Sequence, residues 1–336
     1  MGPTQEDVAR RANVSRALVS LVLRDAPNVS AQSREKVLRA ANELGYRPNA
    51  FARSLASKQV HTLGVLINDV TNPYFAAVYS SFATAAEAAG YDLLVAPGVR
   101  SAGKEGPLVN TLLEHRVAGL ALLSPIMRTD TLREICTASP TVVIGRDVSF
   151  VENVDVVTTD ERQAAKEVIA HLTDLGHTQI AHITGGANRS AHDREAAYVS
   201  TMREHQLQPL AVPGDFTEEG GKRGAAHLLR SKQRPTAVIA ANDLCAVGAI
   251  GEFSRHGLSV PEEVSVVGYD DSQIAGLAMV QLTSVRQSIE QFGASALSML
   301  IERIADPDIA TRANRMPTEL VVRTTTAMCQ PAGANT

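Results

Sequence analysis

In TQEDVARRANVSRALVSLVL, residues 4–23, two short helical signals stand on either side of a single break. Thr4 with Asp7 three residues on has the form of a capping box, and Val8, Ala9 and Ala12 then share one face, which predicts a first helix over about Gln5 to Ala12. Asn13-Val14 interrupts it, and asparagine is the side chain that best tolerates the left-handed backbone of a tight turn. Ser15 caps a second helix that carries Val19, Val22 and Leu23 inward. Two helices across so brief a turn have helix-turn-helix geometry, in which the second offers its first turns to the DNA major groove. Arg16, Ala17, Ser20 and Leu21 would then face the bases. Taken alone, the pair fits an αα-hairpin of any helical bundle equally well.

The residues that follow narrow the choice. Ser30 caps a third helix whose Val37, Ala40, Ala41 and Leu44 form one apolar stripe, closing a three-helix core that Gly45 ends. Next, Asn49 caps Ala50 to Ser57, a helix too short to persist alone and so suited to a switch between domains. Residues 1–59 hold ten Lys/Arg against five Asp/Glu, net +5, whereas the remainder holds 22 against 31, net −9. Only the first segment is built for phosphates.

From Thr62 the pattern changes to short apolar runs alternating with amphipathic helices. Leu63–Ile67, Leu93–Ala96, Leu120–Leu123 and Val142–Ile144 form one series of buried strands; Ile180–Ile183, Ala237–Ala240 and Val264–Val267 form a second. Helices are expected at about 161–175, 190–205, 218–230 and 243–254. This is the signature of parallel sheets covered on both faces, and two doubly wound lobes in succession make a ligand cleft at the carboxyl ends of their strands.

Composition sets outer limits. With 336 residues, 44% hydrophobic and 20% charged, the chain reads as two or three soluble domains. No run approaches the roughly 18 apolar residues of a membrane span and the start is polar, so no membrane partner and a cytoplasmic location are expected. Cys136, Cys245 and Cys329 have no CxxC spacing, which predicts neither disulfides nor zinc; no metal and no cofactor are expected. His171, His177 and His182 fall on a helix, a loop and a strand. GxSxG, HExxH and GxGxxG are absent, and GGKRG at 220–224 lacks the rest of a phosphate loop, so the chain is not expected to be an enzyme.

DVARRANVSRALVSLVL (7–23), VSAQSREKV (29–37) and YRPNAFARSLAS (46–57), in this order and spacing, resemble the headpiece and hinge of the LacI family. NDVTNPYF (68–75), DERQAAKEVIAHLTDLGHTQIAHITG (160–185), AANDLCAVGAI (240–250) and VSVVGYDDSQIAGLAMVQLTSVRQ (264–287) resemble its sensor, itself similar to periplasmic sugar-binding proteins. The resemblance implies an all-α helix-turn-helix headpiece plus an α/β periplasmic-binding-protein-like sensor of two doubly wound parallel-sheet lobes. It divides the chain into a DNA-binding domain (1–47), a hinge (48–59) and an effector-binding and dimerisation domain (60–330). Its first lobe spans about 60–158 and 289–316, its second about 159–288 and 317–330.

The same resemblance implies residue roles. Thr4, Ser15, Arg16, Ala17, Ser20, Leu21, Asn28, Ser30, Asn49, Ala52, Arg53 and Leu55 would meet double-stranded operator DNA, with Leu55 wedged between base steps in the minor groove. Tyr74, Phe75, Arg146, Asn188, Ser190, Arg194, Phe216, Asn242, Asp270 and Gln287 would hold the effector. Tyr74, Phe75 and Phe216 supply apolar walls, and the others donors and acceptors suited to hydroxyls. Core packing is the plain alternative for the aromatics, a salt bridge for Arg194, and helix caps or structural partners for Asp243 and Asp271. Two positions depart from the family: Asn13 replaces glycine, and Leu21 replaces a guanine-reading arginine, leaving Arg16 to read a base or bind a phosphate. The implied function is a repressor, homodimeric on a palindromic operator and released by a small molecule, a carbohydrate by preference. Alternatives are a corepressor-dependent regulator with a purine-like ligand, or a solute-binding protein. The polar end after Val322, broken by Pro331 and Gly333, suits a dimer and not a zippered tetramer.

Overall fold

The computed structural model describes residues 3–23, 26–46, 60–98, 100–231 and 234–330. The expected hinge, with Asn49, Ala52, Arg53 and Leu55, lies outside the described residues. The chain divides into two compact units, Met1–Val60 and His61–Thr336.

The first unit holds helices α1 (Gln5–Ala12), α2 (Arg16–Leu23) and α3 (Ala31–Glu43). Thr4 caps α1: its Oγ1 accepts from the Asp7 amide at 3.3 Å while its own amide donates to Asp7 Oδ2 at 2.9 Å. The Thr4 hydroxyl, donating to Asp7 Oδ2 at 2.7 Å, and the Thr4 amide hold the Asp7 carboxyl below the usual carboxylate range. Asn13 ends the helix in the left-handed region (φ 53°, ψ 52°), as its place in the turn requires. Ser15 accepts from the Leu18 amide and Ser30 from the Ser33 amide, each at 3.2 Å, so α2 and α3 start where their caps stand. Val8, Ala9, Val19, Val22, Val37, Ala40 and Ala41 are buried together. A core of valines and alanines is small, and little stability is left over for change.

The second unit contains strands β1 (Thr62–Ile67), β2 (Asp92–Pro97), β3 (Leu120–Leu123), β4 (Thr141–Ile144), β5 (Val154–Thr159) and β6 (Ile180–Ile183). There follow β7 (Leu210–Val212), β8 (Ala237–Ala240), β9 (Ser265–Asp270), β10 (Thr283–Gln287), β11 (Arg312–Met316) and β12 (Thr318–Val321). Its helices are α4 (Pro73–Ala88), α5 (Ala102–Glu114), α6 (Thr129–Ala138), α7 (Glu161–Asp174), α8 (Arg189–Glu204), α9 (Glu218–Leu229), α10 (Asp243–Arg255) and α11 (Ile289–Ala305). The strands form two six-stranded sheets, ordered β11-β5-β4-β3-β1-β2 and β12-β10-β9-β8-β6-β7. Each sheet has apolar clusters packed on it, Leu63, Phe82 and Phe292 in one, Ile183, Val238 and Phe253 in the other. Their doubly wound form gives each lobe a row of strand carboxyl ends from which loops can present side chains.

The second sheet is not wholly parallel: β12 runs antiparallel to β10. Five strands escaped the apolar-run reading, namely β5, β7, β10, β11 and β12. TELV and RANRM are short and polar because they lie at sheet edges, where one side is not covered. β5 is buried throughout, but Asp155 interrupts its apolar run. That carboxylate, 0% exposed, is gripped at 2.9 Å by Arg303 and by Arg312. The chain passes between sheets after β5, after β10 and between β11 and β12. The passages are tied together: the Asp160 amide donates to the Met316 carbonyl at 3.0 Å, and Ser288 Oγ to the Pro317 carbonyl at 3.0 Å.

One buried histidine sets a pH dependence. His182 on β6 is 0% exposed and its Nδ1 lies 2.9 Å from the Ile239 carbonyl; burial lowers its pKa from the ordinary 6.5 to about 4. Between those values the unfolded chain binds the proton that the folded chain refuses. This histidine therefore costs stability as pH falls through that window, up to about 3 kcal/mol, and nothing further below it. Denaturant titrations from pH 7 to pH 4 should show this loss in the wild type and its absence in His182→Asn, whose amide can replace the Nδ1 donor.

Candidate functional site

Two sets of side chains are candidates. On the first unit, Arg16, Ala17 and Leu21 stand exposed along α2, Ser20 is half-buried beside them, and Thr4, Ser15, Asn28 and Ser30 are exposed at the helix starts and turn. Arg16 makes no ion pair among the described residues. Leu21 is 40% exposed although it is a large apolar side chain. Such a residue on a reading helix has one productive contact with a base, the thymine methyl. Thr4, Ser15 and Ser30 spend part of their hydrogen-bonding capacity as caps, which fixes the three helix N-termini.

The second set lines a cleft of about 440 Å³ between the lobes. Tyr74, Phe75, Arg146, Asn188, Ser190, Arg194, Phe216, Asn242, Asp270 and Gln287 all border it. They arrive from separate segments because each follows a strand's carboxyl end or starts the next helix: Arg146 after β4, Phe216 after β7, Asn242 after β8, Asp270 and Gln287 as the last residues of β9 and β10. The Phe216 ring lies over Gly185, where a Cβ would come within 2.4 Å of the ring; no larger residue leaves room for it. A neighbouring cavity of about 400 Å³ shares Gly145, Arg189, Ser190, Arg194 and Gln287 with the cleft.

Many of these groups are already engaged. Gln287 connects the lobes: its Nε2 donates to Asp270 Oδ1 at 2.7 Å, and its Oε1 accepts from Thr159 at 2.6 Å and from the Tyr74 hydroxyl at 3.3 Å. Ser190 Oγ donates to the Gly145 carbonyl at 2.6 Å, a second link between lobes. Asn188 caps α8 through the Ala191 amide and Asn242 caps α10 through the Cys245 amide, each at 2.9 Å, while Asn242 Nδ2 donates to the Phe216 carbonyl. Arg146 Nη1 donates to the Pro125 and Met127 carbonyls at 2.7 and 3.0 Å. Tyr74 and Phe75 are both buried, edge to face at 69°. Asp243 receives Ser272 and Ser284, and Asp271 receives Arg286 and Arg323, so both carboxylates are structural partners.

Arg194 is the principal surprise. Its Nε and Nη2 grip Glu161 in a two-pronged pair, both at 3.0 Å, its Nη1 donates to the Ala241 carbonyl, and its guanidinium carbon sits 3.3 Å from the Tyr269 ring centroid. Burial works against the charge, but Glu161, with Tyr269 and Asp270, together outweigh it and the net pKa shift is upward. The fork expected to hold ligand oxygens is thus spent, in this conformation, on a half-buried carboxylate; two N–H groups remain. Glu161 itself was missed because the strand before it, β5, was missed. Thr159, Tyr269, Ser124, Arg100 and Arg189 belong to the same surroundings and carry no signal that periodicity could detect.

Asp270 stores strain. It holds φ at 105°, a region that side chains rarely adopt, and burial, reinforced by the charge of Asp243, pushes its carboxyl well above the usual range. Asp270→Asn removes a charge that burial disfavours and suits positive φ. It is expected to preserve stability or raise it by up to ~1 kcal/mol while weakening any response to effector. Denaturant midpoints measured beside ligand-induced DNA release would check both halves.

A helix-turn-helix head joined to a two-lobed cleft defines a class, the DNA-binding transcriptional regulators with a built-in small-molecule sensor. Residues 4–49 match the family described as bacterial regulatory proteins, lacI family, and residues 169–326 match a periplasmic binding protein-like domain. The chain is 31% identical over 331 residues to catabolite control protein A of Priestia megaterium, covering 97% of this chain and 100% of that protein. It is 34% identical over 310 residues to the ribose operon repressor of Haemophilus influenzae, covering 91% and 93%. The lac repressor dimer bound to operator and the anti-inducer ONPF superposes with a TM-score of 0.86 at 28% identity, covering 97% of this chain and 100% of that one. This chain belongs to the LacI family of transcriptional regulators. Among the described residues no helix is long and apolar enough to cross a membrane.

Proposed function

We propose that this regulator is a cytoplasmic repressor, homodimeric on a palindromic operator, that a carbohydrate bound in the interlobe cleft releases from DNA. The observation that carries this reading is the convergence of ten side chains from seven separate segments on one cleft, in a chain whose head is a helix-turn-helix. The division follows the sequence: a DNA-binding domain over 1–47, a hinge over 48–59 and a sensor over 60–330. Donors and acceptors predominate around apolar walls, which suits a ring bearing hydroxyls. A purine corepressor would need an open aromatic face, whereas Tyr74 is buried edge to face against Phe75 and tied to Gln287.

A homodimer accounts for apolar surface that a single chain leaves uncovered: Val95 on edge strand β2, Leu277 at 51% exposure and Met279 at 92%. Coupling runs through the links between the lobes. A ligand that changes the geometry of Gln287 or of the Ser190–Gly145 bond shifts one lobe against the other, and with it the affinity of the head for DNA. Such couplings amount to about 1–3 kcal/mol.

Titrating labelled duplex from the region upstream of the protein's own gene tests the DNA half of the reading. Specific binding at two chains per duplex, falling steeply as salt rises, is expected. Binding that is weak, insensitive to salt and equal on scrambled DNA would instead leave a solute-binding protein.

A further inference from the structure

One wall of the cleft is a loop that does not hold itself. Residues 124–128 join β3 to α6, and Ser124, Pro125 and Ile126 border the cleft. Ser124 lies at φ 45°, a left-handed value that a side chain adopts only where its surroundings impose it. The surroundings grip the loop's backbone from two sides. Glu105, in the first turn of α5, accepts on Oε2 from the Ile126 and Met127 amides at 2.8 and 2.7 Å. Arg146, after β4, donates from Nη1 to the Pro125 and Met127 carbonyls at 2.7 and 3.0 Å. Two charged side chains thus take the backbone polar groups of three consecutive residues, and Ser124 Oγ fastens the start of the loop to the Gly145 carbonyl at 3.2 Å.

Glu105 sits where an apolar residue would be expected. It is 0% exposed, does not border the cleft, and shares the buried face of α5 with Val109 and Leu112. A carboxylate in such a place is costly unless hydrogen bonds and a nearby charge compensate it. Both of its hydrogen bonds go to the loop, and its Oε1 has no partner. Burial raises the Glu105 pKa and lowers that of Arg146, and each charge eases the other's shift. Arg146 in turn buries its Nε without a partner and spends Nη1 on the loop. The Gly145 carbonyl that holds Ser124 also accepts from Ser190 Oγ of the second lobe at 2.6 Å, so a displaced loop is felt at a bond between the lobes.

We propose that Glu105 is the positioning residue of the cleft's first-lobe wall: from behind, it holds the backbone of residues 124–127 in the shape that accepts the ligand, and Arg146 braces the same loop instead of contacting the ligand. The proposal rests on the cleft being the effector site. It adds a residue that acts on the ligand only through the loop, and it moves Arg146 from ligand contact to brace.

Hydrogen exchange read by mass spectrometry on the full chain without ligand tests the clasp. Residues 120–130 are expected to exchange about tenfold faster or more in Glu105→Ala than in the wild type, and at the wild-type rate in Glu105→Gln, whose carbonyl oxygen can take both amides. Glu105→Asp, one methylene shorter, should also lose the protection, and it keeps the test readable where alanine unfolds the lobe. A loop that stays protected in both, or a loss spread evenly over the first lobe in both, overturns the proposal. Calorimetry with ribose, galactose, glucose and cellobiose reads the consequence. A sugar that binds the wild type is expected to bind Glu105→Asp about tenfold more weakly and Glu105→Gln within about threefold of the wild type. Arg146→Met should weaken it too, and the double variant Glu105→Asp with Arg146→Met by no more than the worse single change, since both act through one loop. Full additivity would make Arg146 a ligand contact and overturn its part; a sugar bound equally well by Glu105→Asp overturns the whole. If none of the four sugars binds the wild type, it is the carbohydrate reading that fails, and the exchange result alone decides for or against the clasp.

Discussion

Arg194→Met is expected to lower the stability of the sensor by about 3–5 kcal/mol and to leave the protein on its operator whatever ligand is added. The first effect follows from the pair it breaks: Arg194 and Glu161 are 11% and 18% exposed, joined by two bonds of 3.0 Å, and losing one partner leaves the other's charge largely out of water without its counter-ion. The second follows from position. Glu161 opens α7 directly after the first passage between lobes, so its carboxylate sits where any movement of one lobe on the other is felt. A double variant, Arg194→Met with Glu161→Gln, removes both charges and should recover much of the stability but none of the response. Denaturant titration of the four proteins closes the cycle; a single-variant loss below about 1 kcal/mol would show that the pair is not a buried unit.

The other large effect is expected on the reading helix. Leu21→Arg puts a two-pronged donor in place of an exposed apolar side chain, and should favour operators with guanine at one position of each half-site by about 1–3 kcal/mol, roughly 5- to 150-fold. Arg16→Ala should cost a similar amount. A loss confined to one base identity assigns Arg16 to base reading, whereas a uniform loss with a salt slope smaller by about one assigns it to a phosphate. Selection of bound duplexes from a randomised half-site library reads both variants in one experiment. An unchanged preference in Leu21→Arg would mean that this face of α2 does not meet the bases.

Local chemistry made much of the fold legible. The caps at Thr4, Ser15 and Ser30, the left-handed turn at Asn13 and the apolar stripe of Val37, Ala40 and Ala41 each follow from a side chain acting on its own backbone or neighbours, and the three helices begin and end accordingly. Strands such as Leu120–Leu123 were visible because full burial demands an unbroken apolar run. Asp155 concealed β5 because its neutralising partners, Arg303 and Arg312, are more than 140 residues away in the chain, separations of 148 and 157. The antiparallel β12 was hidden by its polarity, which an edge permits.

The cleft's membership was legible through resemblance, residue by residue, but its internal commitments were not. No spacing rule indicates that Arg194 closes on Glu161, that Gln287 accepts from both Thr159 and Tyr74, or that Ser190 reaches the carbonyl of Gly145. These bonds join segments 33 to 213 residues apart, and only the folded backbone brings them together. Of these, the Tyr74–Gln287 and Ser190–Gly145 bonds cross between the lobes.

The central claim, that the cleft governs the head, is tested most directly by operator anisotropy on the full chain at fixed salt, with and without added sugars. A sugar is expected to weaken operator binding by about 5- to 150-fold and, by reciprocity, saturating operator to weaken that sugar's binding by the same factor. A sugar that binds the cleft, with its affinity lost in Asp270→Asn, and yet leaves operator affinity unchanged in both directions would contradict it.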